Sequence, residues 1–459
     1  MNKTIAAINN IFFIGVAGTG MSAIAQYLAG IGKNVAGSDR YFVAGAFNDS
    51  RNKLEAAGIR CYEQDGSGIT ENTALIVVSA AVELTVPEVQ KAMQLNIPIV
   101  KRSEMLAMIA NSKKTIAVAG TSGKSTTCGM LFRILEIAGL QPSIISGAGL
   151  VSIIKENKIG NAKVGSGEWL VIEADESDGS IVQYNPEIGV LLNVDKDHQE
   201  ITDLMQLFST FKQHTKTTFI VNRNNELAAS LSTNAAVDFS TSVNSGAGVV
   251  ASNFNQAGMV ITFNVDGQKF LLNTVGKHNM ENALAAIAVA RQLNVADAVS
   301  AKALAQYEGI YRRHQLLGIK NGVCLIDDYA HNPAKCAASI AACQPIASKV
   351  IAWFQPHGYG PTRFLKNDFI KEFIAVLRPE DEIWMSEIFY AGGTTVKDIS
   401  ANDLIKAIKA AGKSAFFVEN RNDLLEQVRP HFTKDCVLLL MGARDPGLEN
   451  FSKELLDQL

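Results

Sequence analysis

Short apolar runs, each followed by glycine and then by residues at helical spacing, recur along the chain. Residues 11–16 form the first run, 17–20 a Gly-rich turn, and 21–31 carry apolar positions at the spacing of a helix face. The same pattern predicts strands at 34–38, 75–80 and 98–101 and helices at 87–95 and 103–110. A polar joint, Asn111-Ser112-Lys113-Lys114, precedes a restart: strand 115–119, turn 120–123 and helix 124–138. Strands at 169–174, 188–194 and 218–222 follow, then antiparallel hairpins within 249–273 and a helix at 278–293. A third series opens near Arg313, with strands at 323–327, 350–354, 382–386, 415–419 and 437–441 separated by helices. Strands alternating with helices predict an α/β fold with parallel sheets covered on both faces. Ligands in such sheets bind beyond the carboxyl ends of the strands, so each unit is expected to offer one lip of a shared cleft, with joints near Ser112 and Arg313 allowing closure.

The length of 459 residues fits this reading. At roughly 150 residues per domain it predicts about three domains, assigned here to 1–112, 113–312 and 313–459. A hydrophobic content of 47% with 19% charged residues is that of a globular protein. The formal charge of −3 comes without a basic block, which argues against nucleic acid or an anionic membrane as partner. The run at 11–16 is far short of the ~20 apolar residues a membrane span needs, and it reads as a buried strand and not a signal peptide. Six cysteines without a Cys-x-x-Cys pair predict reduced, mostly buried thiols in a cytoplasmic protein. Oligomeric state, monomer or homodimer, is left open.

Candidate chemistry sits in the turns. Gly120-Thr121-Ser122-Gly123-Lys124-Ser125-Thr126 lies between strand and helix, where backbone N–H groups and the positive helix end cradle phosphates. Lys124 would neutralise β/γ charge and Ser125 would hold Mg²⁺. Val118 stands where the full phosphate-loop pattern has its first Gly. Glu173-Ala174-Asp175-Glu176-Ser177-Asp178 follows a strand and clusters carboxylates suited to a hard cation. Gly18-Thr19-Gly20-Met21-Ser22-Ala23, with Asp39 nineteen residues after Gly20, meets the dinucleotide pattern and alone would suggest NAD.

Together these segments resemble the Mur ligase superfamily, and the likeness runs from about Ile11 to Asp445 with the motifs in family order. The short phosphate loop at 120–126 is similar to that family's, although Ser122 stands where the branch that adds the first amino acid usually has His. The resemblance implies a three-domain architecture: a Rossmann-like N-terminal domain, a central phosphate-loop ATPase-like domain and a Rossmann-like C-terminal domain. It further implies that Glu173 binds magnesium and that His198, in Asn193-Val194-Asp195-Lys196-Asp197-His198, binds a second magnesium. The segment from Gly15 to Ser22 resembles the element that holds the UDP diphosphate. By that likeness Gly18, Gly20, Met21 and Ser22 meet the diphosphate, Asp39, Ser79 and Ala80 line the uridine side, and Gly147 approaches the sugar.

Gly276-Lys277-His278-Asn279-Met280-Glu281-Asn282-Ala283 resembles the adenine-contacting element. Asn279 and Asn282, three apart, would reach one base edge. Arg313, or Arg312 in its place, would meet the ATP phosphates. Asp327-Asp328-Tyr329-Ala330-His331-Asn332-Pro333 resembles the opening of the family's third domain, with Asn332 for the second His. It implies Asp327 or Asp328 at the ribose, and Tyr329 and His331 at the amino acid. Gln355-Pro356-His357 matches the alanine-adding branch. The two arginines expected next are displaced by Gly358 and Gly360-Pro361, leaving Arg363 for the amino-acid carboxylate. Arg444 replaces a Gly in the closing element and is a candidate for the missing charge.

The reaction this implies is ATP-dependent joining of an amino acid, L-alanine in the matched branch, to the carboxylate of UDP-N-acetylmuramate through an acyl phosphate, in peptidoglycan precursor synthesis. Its catalytic set is Lys124, Glu173, His198 and His331, with ATP and Mg²⁺ as cofactors. Attachment of a ready-made short peptide, as in muropeptide recycling, is the near alternative, and ligation of a folate or poly-amino acid a more distant one. An NAD-dependent oxidoreductase, a rival from another class, leaves the loop from Gly120 to Ser125 and the Glu173 cluster without a task, and intact Lys124, Glu173 and His198 count against a nucleotide-binding regulatory module.

Overall fold

A computed structural model describes residues 5–79, 82–195, 200–390 and 396–459. The expected positions Ala80 and His198 lie outside the described residues. The chain forms two compact units: Met1–Asn253 with Phe263–Leu272 and His278–Ile310, and Phe254–Thr262 with Asn273–Lys277 and Tyr311–Leu459.

The first unit holds two sheets. One is wholly parallel, in the order β3-β2-β1-β4-β5, from β1 (Asn10–Ile14), β2 (Asn34–Ser38), β3 (Arg60–Tyr62), β4 (Leu75–Val78) and β5 (Ile99–Lys101). Helices α1 (Thr19–Gly30), α2 (Asp49–Ala56), α3 (Pro87–Gln94) and α4 (Arg102–Asn111) connect its strands. The other sheet runs β11-β10-β6-β9-β7-β8, from β6 (Lys114–Ala119), β7 (Ser143–Ile145), β8 (Ala162–Lys163), β9 (Trp169–Glu173), β10 (Ile188–Leu191) and β11 (Thr218–Val221). Helix α5 (Lys124–Ile137) follows β6. A small four-stranded sheet, β12 (Phe239–Ser240), β13 (Val249–Ala257), β14 (Val260–Val265) and β15 (Gln268–Leu272), supplies the expected hairpins.

Both large sheets of this unit share one core. Phe13, Met21, Tyr27, Leu106 and Ile109 belong to the same buried cluster as Ala117, Leu170, Ile172, Tyr184 and Phe208. Each of the Leu, Ile, Phe and Met side chains contributes roughly 1.5–3 kcal/mol on leaving water, so this continuity opposes relative movement. The joint after α4 is accordingly not the hinge its polar sequence suggested. Thr115 Oγ1 donates to Ala110 O at 2.7 Å, Asn111 Nδ2 donates to Gln183 O at 3.1 Å, and Asn185 N donates to Asn111 Oδ1 at 2.9 Å. Its polar residues are used as ties.

The second unit is built on the sheet β16-β17-β21-β18-β19-β20, from β16 (Gln315–Lys320), β17 (Val323–Asp328), β18 (Lys349–Gln355), β19 (Glu382–Met385), β20 (Ser414–Phe417) and β21 (Cys436–Gly442). Only β16 is antiparallel to its neighbour. Alternation along β21 sorts its two faces. Val437, Leu439 and Met441 pack with the helices Pro333–Cys343, Tyr359–Val376 and Ala401–Ala410, whereas Cys436, Leu438 and Leu440 pack with Leu424–Val428 and Leu448–Gln458. The connections after β17 and β18 therefore leave toward one face and that after β21 toward the other, the arrangement beside which ligands of such sheets bind, beyond the carboxyl ends of the strands.

Candidate active site

Between β6 and α5 the backbone turns through Gly120 at φ +131° and Gly123 at φ +87°, angles open to glycine and costly for other residues. A Cβ on Gly123 would also fall on the side-chain oxygen of Asn282. The turn is braced from the end of β10. Asn193 Oδ1 accepts from Thr121 Oγ1 at 2.9 Å and from Ser122 N at 2.8 Å, and Asn193 Nδ2 donates to Ser122 O at 3.1 Å. Thr121 N donates to Asn193 O, and Asp195 N donates to Thr121 Oγ1 at 3.1 Å. Thr121, expected on the nucleotide, thus turns its amide and hydroxyl into the protein. Ser122, Ser125 and Thr126 remain half-buried on the turn.

Lys124 is the charge of this turn. Its Nζ donates to Gly120 O at 2.7 Å and to Glu176 Oε2 at 2.8 Å, and lies 3.6 Å from Asp175 Oδ1. Burial alone would depress its pKa, but the carboxylates of Glu176, Asp175 and Glu173 outweigh that and hold it above the ordinary lysine value. Burial pushes the Glu176 carboxyl up, with Lys124 pulling the other way. Asp175, for which burial acts upward, is held low by Lys124 and Ser177. Reading the acidic motif as a metal cluster missed that Asp175 and Glu176 are partners of Lys124.

Glu173 ends β9 and pairs in register with Val118 of β6, one strand from the turn. Its Oε1 accepts from Ser146 Oγ at 2.6 Å and from Gly147 N at 2.7 Å, which places Gly147 against this carboxylate. Its Oε2 has no hydrogen bond among the described residues. Those residues contain no group of three or more His, Cys, Asp or Glu able to hold a metal. Mg²⁺, however, takes one or two protein oxygens and completes its shell with phosphate and water. Glu173 Oε2 and the Ser125 hydroxyl at the start of α5 are donors of that kind.

The helix Lys277–Gln292 brings two buried amides to the turn. Asn282 Nδ2 donates to Asn279 Oδ1 at 3.2 Å, and Thr127 Oγ1 donates to Asn282 Oδ1 at 3.3 Å. The two amides bond to each other, and Asn282 also buttresses the phosphate turn.

At the N-terminal turn, Gly18 and Thr19 are exposed and Gly20 is half-exposed, whereas Met21 and Ser22 are buried in α1. Ser22 Oγ donates to Thr19 O at 3.1 Å and accepts from Asn161 Nδ2 at 2.9 Å. Asp39 Oδ2 accepts from Ala17 N at 3.0 Å and Asp39 Oδ1 from Tyr41 N at 3.1 Å. Met21, Ser22 and Asp39, expected at the ligand, instead shape the turn from inside, leaving the backbone of 18–20 as its outward face. Ser79 is half-buried just past β4. Arg102, which the sequence reading passed over, lies beside Gly20 and pairs with Asp178 at 3.2 Å.

In the second unit, Asp327 is 2% exposed and both its oxygens are taken by Arg312, at 2.9 and 3.2 Å. Asp328 accepts from Ser339 Oγ at 2.6 Å and lies 3.4 Å from His314. The expected ribose contact is thereby corrected to an internal pair that fixes the end of β17. Arg312 being locked, Arg313 is the freer of the two, its guanidinium 4.8 Å from the Tyr329 ring centre. His331 lies 5.6 Å from Tyr329 and 5.7 Å from His357 between ring centres. Burial, then Lys335, His357 and Arg313, push the His331 pKa down to about 4, so its ring is neutral at physiological pH. Asn332 caps the following helix by accepting from Lys335 N at 2.9 Å. Arg363 is paired with Asp398 and donates to Val396 O at 2.9 Å, so its guanidinium already has partners. Arg444 is exposed at φ +63°, just past β21.

Comparison with known proteins converges on one family. The chain matches the models described as Mur ligase family, catalytic domain, over residues 10–114, Mur ligase middle domain over 118–290, and Mur ligase, glutamate ligase domain, over 312–444. It is 34% identical to the UDP-N-acetylmuramate–L-alanine ligase of Stenotrophomonas maltophilia, covering 97% of this chain and 95% of that protein. It is likewise 34% identical to the ligase of the same name from Thiobacillus denitrificans, over 96% and 97%. Its fold is that of the UDP-N-acetylmuramate-alanine ligase of Thermotoga maritima (TM-score 0.80, 24% identity, 98% of each chain) and of a murein peptide ligase from Psychrobacter arcticus (TM-score 0.67, 21% identity, 98% of each chain). A phosphate turn with its lysine held by an acidic turn, a second Gly-rich turn on a parallel sheet, and matches along the whole three-domain architecture place this chain in the Mur ligase family.

Proposed function

We propose that this chain joins L-alanine to the carboxylate of UDP-N-acetylmuramate at the expense of ATP, in the cytoplasm, as a step of peptidoglycan precursor synthesis. The observation that carries the reading is the turn at 120–126, with Lys124 charged, half-buried and held by carboxylates in the position where phosphates would replace them. In this reading the domains are 1–112, 113–312 and 313–459. The triphosphate lies along Gly120, Ser122, Gly123, Lys124, Ser125 and Thr126, and the sugar nucleotide along the outward backbone of Gly18 and Gly20, with Ser79 on the uridine side.

A carboxylate oxygen of the sugar attacks the γ-phosphorus, the bond to the β,γ-bridging oxygen breaks, and ADP departs with that electron pair. Lys124 offsets the repulsion between the two anions and stabilises charge in the transition state. When bound, Mg²⁺ supplies further neutralisation of the phosphate oxygens, and Glu173 and Ser125 are the residues that would hold it, with His198 as a further ligand. The amine of alanine then adds to the acyl carbon, phosphate leaves, and the amide forms. Tyr329, His331 and His357 are assigned to the amino acid, Arg313 to the nucleotide and Arg363 to the alanine carboxylate. The ring of His331 is neutral at neutral pH, the form able to accept the proton that the alanine nitrogen gives up as it adds to the acyl carbon.

Phosphate release, measured with UDP-N-acetylmuramate and a panel of free amino acids and short peptides, tests this reading. L-alanine should support turnover above all others. Turnover with a tripeptide and none with alanine would replace biosynthesis by peptide recycling, and no phosphate release with any acceptor would end the ligase proposal.

A further inference from the structure

The N-terminal turn binds through backbone in the reading above, yet the molecule supplies it with a cation from elsewhere. Arg102 is the first residue of α4, immediately past β5, and the sheet order brings it to the turn at the end of β1. A Cβ on Gly20 would stand 3.0 Å from Arg102 Cδ, 3.5 Å from Nη1 and 3.6 Å from Nε. The Arg102 side chain thus lies beside the first turn of α1, where the leading amides have no acceptor within their own helix. Glycine at position 20 leaves room for it.

Helix stability does not explain this residue. A cation at a helix N-terminus opposes the dipole of α4. Its partner, Asp178 at 3.2 Å, makes an ion pair in which the two side chains are 26% and 37% exposed, and such pairs are weak and readily exchanged. The planar fork of arginine is, by contrast, well matched to two phosphate oxygens. Asp178 also belongs to the acidic turn whose Asp175 and Glu176 hold Lys124. One turn therefore keeps a cation in place beside each Gly-rich loop.

We propose that Arg102 receives the diphosphate of the sugar nucleotide at the N-terminal turn, and that Asp178 is the placeholder it releases when that ligand arrives. This rests on the assignment of the sugar nucleotide to residues 18–20. Arg102 is then a binding residue for the β-phosphate and a sensor of the number of phosphates.

Competition binding of UDP-N-acetylmuramate, UDP and UMP to the full chain, together with ATP binding, tests it in Arg102→Ala, Arg102→Lys and Arg102→Gln, the last keeping the bulk against Gly20. Removing the guanidinium should weaken UDP and the sugar nucleotide by about tenfold to a hundredfold, leave UMP and ATP nearly unchanged, and so collapse the preference for UDP over UMP. Lysine should restore part of that preference, and Asp178→Asn should leave UDP binding equal or tighter. Equal loss of UMP and UDP, or unchanged UDP binding, would make Arg102 a brace between α4 and the acidic turn and overturn the proposal alone. Failure of UDP to compete with the sugar nucleotide in the unaltered protein would overturn it together with the N-terminal assignment.

Discussion

The first unit contains the same device twice, and the two copies are charged differently. Both are a parallel strand, a Gly-rich turn and a helix, and both are shaped from behind by polar side chains. At 120–126 the brace is Asn193 with Asn282, and the cation, Lys124, is part of the turn and held among carboxylates. At 15–22 the braces are Asp39 and Asn161, the turn has no cation of its own, and Arg102 lies alongside from another helix. The difference follows the work proposed for each. A turn at which a phosphoryl group is transferred needs fixed charge at the reacting atoms, whereas one that only anchors a diphosphate can use backbone amides and an exchangeable arginine.

The largest expected effect falls on the transfer turn. Lys124→Ala should lower ATP-dependent phosphate release by about 10³-fold or more with the thermal transition retained; near-normal turnover would erase the functional distinction between the turns. Glu173→Gln should raise the Mg²⁺ concentration for half-maximal activity by about tenfold or more, and an unshifted magnesium titration would remove Glu173 from the metal. The glycines should differ in cost. Gly123→Ala must hold a side chain at φ +87° against Asn282 and should lose about 1–3 kcal/mol in chemical denaturation. Gly20→Ala meets only the flexible Arg102 stem at a helical position, so its stability should change by less than about 1 kcal/mol while UDP affinity falls. Equal destabilisation by both would break the comparison.

The second unit offers a pH control outside both turns. The folded pKa of His331, about 4, lies below the ~6.5 of an unfolded histidine. The unfolded chain therefore binds the proton more readily between those values, and the stability linked to His331 is present above pH ~6.5 and lost as pH falls through about 4. Comparing denaturation at pH 7 and pH 5 in His331→Gln should show a smaller acid penalty than in the unaltered chain, and an equal penalty would remove His331 as its source.

What the sequence disclosed was order, and what it withheld was direction. Apolar runs flanked by glycine marked the long strands, because burial on both sheet faces leaves a continuous hydrophobic stretch. Strand ends were misplaced where apolar residues belong to the turn. Leu192 and Val194 extended the expected strand past Leu191, although that segment bends so that Asn193 can brace residues 121–122. Strands of three residues, such as β3 and β7, are too short to show a period. Motifs gave the residues of the site but not which way they face. Thr121, Ser22, Asp39, Asn282 and Asp327 bond inward to groups distant in sequence, among them Asn193, Asn161 and Arg312, and such partners leave no trace in local spacing. The pairing of Lys124 with Glu176 was hidden for the same reason, since an acidic cluster after a strand reads equally well as a metal site.

Oxygen transfer tests the central claim most directly. UDP-N-acetylmuramate carrying oxygen-18 in its carboxylate, turned over with ATP and L-alanine, should place one labelled oxygen in each phosphate released, seen as the isotope shift in the phosphorus NMR signal. Phosphate formed without label during amide synthesis would contradict an acyl phosphate made at the Lys124 turn.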